Sequence, residues 1–131
     1  MIYHYIVHSC RPPLILLTCY NYPMKFDEYQ KRAGQTAIYP KQGKNLYYPT
    51  MGLVGEAGEI ANKVAKIMRG DKKPSKKWKK DLGKEIGDVL WFSAQLATEL
   101  DISLLDIAEE NIKKLKSRKK RGKLKGSGDN R

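Results

Sequence analysis

Gly52-Leu53-Val54-Gly55-Glu56-Ala57-Gly58-Glu59 and Lys84-Glu85-Ile86-Gly87-Asp88-Val89-Leu90-Trp91 are the stretches that decide how this chain folds. Each sets two carboxylates three positions apart inside an apolar pattern of helical period, and on a helix that spacing puts both acids on one face. Leu53, Val54, Ile60, Val64 and Ile67 flank the first pair, and Leu82, Ile86, Val89, Leu90 and Leu96 flank the second. The acids therefore border the apolar stripes instead of lying opposite them. A single pair of this kind is more often a solvated surface feature. Two pairs on packed helices bring four like charges together, which requires a compensating cation, and hard oxygen ligands suit Mg2+ with Mn2+ as a substitute. Glu56, Glu59, Glu85 and Asp88 are thus the candidate metal ligands. Gly55, Gly58 and Gly87 strengthen that expectation, since each interior glycine costs a helix about 1 kcal/mol relative to Ala and close approach by a helix or ligand would explain it.

The whole chain bounds the answer. Its 131 residues make one domain with a modest core, for which self-association is a reasonable supplement. A net charge of +12 favours phosphate-bearing partners without choosing among them. No apolar run approaches the roughly 18 residues of a membrane span, so no membrane association is expected. Cys10 and Cys19 fit no zinc spacing, and a disulfide between them would staple only the leading segment, so a cytoplasmic location suits the composition.

Residues 1–23 differ from the rest and form a peripheral N-terminal extension; they fail as a signal peptide because the apolar stretch is short and the beginning lacks basic residues. His4 and His8 share a face only if that segment is helical, so a metal role for them is disfavoured. The helical domain spans residues 24–121, and residues 122–131 form a basic, Gly-rich C-terminal tail whose Gly-Ser-Gly could fold over a phosphate but is more simply solvated. Four helices are expected. The first runs from Lys25 to Ile38, burying Phe26, Tyr29, Ala33 and Ala37 and stopping before Pro40. A loop of turn formers and tyrosines follows, with Tyr39, Tyr47 and Tyr48 available either to stack on a ligand or to fill the core. With Thr50 as N-cap, the second helix spans Met51 to Arg69 and ends at Gly70. The lysines from Lys72 to Lys80 are expected to be mainly a solvated face. Ser75 caps a third helix from Lys76 to Leu100, and Ser103 with Asp106 caps a fourth from Leu104 to Lys120.

Set out as Glu56-x-x-Glu59 and Glu85-x-x-Asp88 on successive helices, with a basic linker between them and Asn111 and its lysines after, the chain resembles the MazG-like family of all-α nucleoside triphosphate pyrophosphohydrolases. The resemblance runs from about Met24 to the end. It implies an all-α, four-helix bundle completed by oligomerisation, in which the four carboxylates bind Mg2+ and carry the catalysis. The implied reaction splits a nucleoside triphosphate or its deoxy form into the monophosphate and pyrophosphate. It also implies phosphate and sugar contacts after the acidic helices. Asn111, Lys114 and Arg118 share a helical face there, whereas Lys113 points elsewhere, so the first three are the candidate substrate-binding residues.

The rival is a basic helical nucleic-acid-binding protein without catalysis, using the lysine-rich stretches against phosphate backbones. It leaves the acids unexplained, and a nucleic-acid partner is therefore not expected. A purely structural adaptor explains the apolar stripes but neither the acids nor the glycines. A homodimer or homotetramer is expected in any case, because Trp91, Phe92, Leu96, Leu104 and Leu105 present more apolar surface than one small bundle covers.

Overall fold

The computed structural model describes residues 23–125, and within them the chain forms four helices and no strand. These are α1 (Phe26–Gly34), α2 (Tyr47–Met68), α3 (Lys76–Glu99) and α4 (Leu104–Lys120). The leading extension with its His and Cys residues and the Gly-Ser-Gly of the tail lie outside the described residues. The all-α, four-helix expectation holds. None of the helices among the described residues is long and apolar enough to cross a membrane.

Local chemistry fixes most of the boundaries. Ser75 Oγ accepts the Trp78 amide at 3.1 Å and Ser103 Oγ accepts the Asp106 amide at 3.2 Å, so α3 and α4 begin where their caps place them. Gly70 takes a left-handed φ of +81° just beyond α2, and its amide returns to the Ile67 carbonyl. Two boundaries differ from expectation. Leu46, not Thr50, stands at the N-cap of α2 and has no capping side chain; Asn45 before it accepts the Tyr48 amide on Oδ1 at 3.2 Å, while Thr50 donates its hydroxyl back to Leu46 O. Pro49 fits inside the first turn because the amide it lacks would be unpaired there. The first helix stops at Gly34, short of Ile38, where the Thr36 amide and hydroxyl both bond to Ala33 O and close the helix in a turn.

Helices α2 and α3 form an antiparallel hairpin, as the crossed pairings of Gly52 with Phe92 and of Lys63 with Glu85 require. α1 packs on α3, and α4 packs chiefly on α1. The core sits at that second junction, not around the acids: Ala33, Ala94, Ala97 and Leu104 are buried, with Tyr29 and Trp91 against them. Small side chains at this crossing allow the helix backbones to approach closely. Gln30 ties the junction together, donating to Thr98 Oγ1 and Ile102 O and accepting from the Leu104 amide. Phe26, expected in the core, is exposed, because α1 turns Tyr29 and Ala33 inward instead.

The loop between α1 and α2 is held by one carboxylate. Glu99 accepts from the Tyr39 hydroxyl at 2.6 Å, the Gly43 amide at 2.9 Å and the Asn45 amide at 2.7 Å. Tyr39 is buried and stacks on Tyr48 with ring centroids 4.8 Å apart. The stripes flanking the acids are only partly covered: Val54 is 64% and Ile86 55% exposed. Gly55, Gly58 and Gly87 face open space, so no neighbouring helix approaches them closely. It is Gly52 that is closely approached, since a methyl group there would overlap the Phe92 ring.

Candidate metal and nucleotide site

The hairpin sets Glu56 and Glu59 of α2 opposite Glu85 of α3. One carboxylate oxygen from each lies within 4.8 Å of the others. Burial raises the proton affinity of Glu56 above the usual carboxylate range, and the charges of Glu59, Asp88 and Glu85 raise it further, as does a hydrogen bond with Glu85. Asp88 stands outside the trio, exposed on α3, where its charge acts on Glu56 and on the Tyr29 phenol of α1. Spacing along α3 puts Asp88 on the same face as Glu85, one turn nearer the core junction.

Lys63, one turn beyond Glu59, partly neutralises the trio. Its ammonium lies 2.8 Å from Glu85 Oε1 and 3.6 Å from Glu59 Oε2. The Glu85 side chain is only 14% exposed, which makes this the most sheltered carboxylate among the described ion pairs. Sequence reasoning passed over Lys63, although Glu followed by Lys at i,i+4 is a favourable helical pair and was visible as Glu59 to Lys63.

The donor set fits a hard divalent cation. Three carboxylates are gathered, one of them holding a proton more tightly than a glutamate normally does, and one ammonium leaves the trio with excess negative charge. A cation binding there would relieve the repulsion that raises the Glu56 proton affinity.

Cavities flank the acids along the hairpin. Toward the loop, one turn from Glu56 and Asp88, Asn45, Tyr47, Tyr48, Met51, Gly52 and Phe92 line an apolar cavity of about 440 Å3. In the other direction, Glu59, Asn62, Lys63, Lys66, Lys72, Trp78 and Asp81 line a polar cleft of about 470 Å3. Among the lysines of the linker, Lys72 thus enters a cleft, whereas Lys77 pairs with Asp81 on the surface.

The candidate substrate residues of α4 are divided. Asn111 and Lys114 line a groove of about 570 Å3 with Ile102, Asp106, Ile107 and Glu110, which shares no residue with the cleft that Glu59 lines. Arg118, on the same helical face by spacing, is buried, 5% exposed, and does not line that groove. Of the three tyrosines available for stacking, Tyr39 is buried, which leaves Tyr47 and Tyr48 at the cavity. Phe92, which packs edge-on to Trp91 and 6.1 Å from Tyr48, joins them there.

Residues 48–122, which hold α3, α4 and all of α2 but its first residue, and none of α1, match the model of the MazG nucleotide pyrophosphohydrolase domain. The chain is 53% identical over 114 residues to the Gene 37 protein of Mycobacterium phage L5, an alignment covering 82% of this chain and all of that protein. No solved structure matches it significantly.

Proposed function

Since the chain belongs to the MazG nucleotide pyrophosphohydrolase family, we propose that it hydrolyses nucleoside triphosphates, ribo or deoxy, to the monophosphate and pyrophosphate in a Mg2+-dependent reaction. The convergence of Glu56, Glu59 and Glu85 on a region under 5 Å across is the observation that carries this reading. Those three residues, with Asp88 one turn along α3, would hold the ion, and Mn2+ would substitute for Mg2+. Such an ion supplies charge neutralisation for the phosphate oxygens, without which the acids would repel a polyphosphate.

The chain's own groups account for the remaining steps. Water attacks the α-phosphorus, the bond to the bridging oxygen of the β-phosphate breaks, and pyrophosphate leaves with that oxygen. Glu56 or Glu59, both of which solvent reaches, would orient the attacking water and take the proton that it gives up. The cavity beside Tyr48 and Phe92 is placed for a nucleobase, and stacking there accepts any ring.

Asn111 and Lys114, with Arg118 on the same helical face, are proposed to contact phosphate or sugar. Their groove does not join the acid trio in a single chain, so the reading includes a homodimer or homotetramer, formed through the exposed apolar side chains of α2 and α3. Release of pyrophosphate from a panel of triphosphates, with and without Mg2+, tests the proposal. Hydrolysis that persists after chelation, or in Glu56→Gln and Glu85→Gln alike, would refute it.

A further inference from the structure

Lys63 stands at the boundary of two environments. On one side its ammonium touches Glu85 and Glu59, whose oxygens group with that of Glu56. A divalent ion drawing on the same oxygens would meet this ammonium at close range, and two cations competing for one set of carboxylates oppose each other. On the other side Lys63 lines the polar cleft, where Lys66, Lys72 and Asn62 stand with Trp78 and the carboxylates of Glu59 and Asp81. The root of the side chain is fixed, because the Lys63 carbonyl accepts the Trp78 indole N–H at 3.4 Å. The four-carbon stem above it is flexible, and its ammonium can move between these two environments.

Resting on the metal site proposed above, we infer that Lys63 is a positioning residue with two stations. Without a divalent ion its ammonium neutralises Glu59 and Glu85 and keeps the acids assembled. With the ion in place the ammonium turns into the cleft, where with Lys66 and Lys72 it faces the terminal phosphates of the nucleotide. One positive charge leaves the carboxylates as the ion arrives, and the same charge becomes available to a polyphosphate. Metal binding and polyphosphate binding are thereby linked through a single side chain.

The test uses the full chain and reads binding, not turnover. Mn2+ is titrated by electron paramagnetic resonance without nucleotide, and a triphosphate analogue with a methylene α,β bridge is then titrated calorimetrically at saturating Mn2+. Lys63→Met keeps most of the stem and removes the charge; Lys63→Gln repeats the test should the first variant fail to fold, as judged by thermal melting. Expected are opposite signs: Mn2+ binds about twofold to fivefold more tightly, because a competing ion pair of ordinary strength is gone, while the analogue binds about tenfold more weakly. A residue that only braced the two helices would loosen both. Mn2+ affinity that is unchanged or weaker in the variants, or unchanged analogue affinity, overturns the inference and leaves the metal site standing. If the wild-type chain binds no Mn2+, the metal site itself falls, and the inference with it.

Discussion

The Tyr39 hydroxyl donates to Glu99 Oε1 across 2.6 Å, joining the loop ahead of α2 to the last turn of α3. Two loop amides complete the clamp, from Gly43 and Asn45. Burial alone would push the Glu99 carboxyl upward, but these three hydrogen bonds outweigh it and hold the group below its ordinary value of 4.5. Burial, and then the bond to Glu99, raises the Tyr39 phenol well above its usual range, so it remains a donor through neutral pH.

Glu99→Gln is therefore expected to destabilise the fold by about 1–2 kcal/mol at pH 7, since charge-assisted acceptors are lost. A carboxyl with a depressed folded-state pKa contributes stability above its unfolded value of about 4.5 and loses it as pH falls through the lower folded value. The gap between wild type and variant should be constant from neutral pH down to about pH 5 and narrow below that. Urea denaturation at a series of pH values measures it, and a gap that widens in acid would contradict the clamp.

Glu56→Gln should act in the opposite direction. The Glu56 carboxyl is raised by burial first and by neighbouring acids second, so its ionised form strains the metal-free fold at neutral pH. The variant is expected to be more stable than wild type when both are metal-free near pH 7, with the advantage vanishing below the ordinary value of 4.5, where wild type is itself uncharged. Added Mg2+ should raise the melting temperature of wild type more than that of the variant. Hydrolysis should fall by about 10²–10³ in the variant, as when another preorganised catalytic group is removed.

Gly58 and Gly52 are both interior to α2 yet predict opposite outcomes. Open space surrounds Gly58, so Gly58→Ala should stabilise the isolated fold by about 0.5–1 kcal/mol through helix propensity alone. Gly52→Ala would press on the Phe92 ring, already wedged against Trp91 and Tyr48, and should cost about 1 kcal/mol or more while narrowing the aromatic cavity. Thermal melting of the two variants, together with nucleotide-analogue affinity for the second, distinguishes them.

Self-association is checked at Val54 and Ile86, the exposed apolar residues nearest the acids. Light scattering should find wild type as a dimer or tetramer and Val54→Lys with Ile86→Glu shifted toward the monomer, with helix content retained. A wild-type monomer at high concentration would remove oligomerisation from the functional reading.

Much of this architecture is written in short-range chemistry. Ser75, Ser103 and Gly70 mark helix ends because a cap needs only its immediate neighbours. The i,i+3 pairing of Glu56 with Glu59 likewise depends on helical pitch alone. What sequence reasoning misplaced depends on how helices are rotated and stacked. Thr50 reads as the cap of α2, but the side-chain bond from Asn45 to the Tyr48 amide lets the helix begin at Tyr47, ahead of Pro49. Asp88 and Glu85 share a face of α3, but the rotation of α3 against α2 decides which of them meets Glu56 and Glu59. Glu99 and Lys63 drew no attention because the groups that their charged ends meet, apart from Glu59, lie 22 to 60 residues away.

Gln30 has a consequence for how the molecule is made. Its three partners lie 68, 72 and 74 residues downstream, so α1 leaves the ribosome well before the groups that will hold it have been synthesised. Loop closure over such distances is entropically unfavourable and rewards only a chain whose far end is already ordered. The opening helix of the domain is accordingly among the last to dock, and translation order and assembly order run in opposite directions.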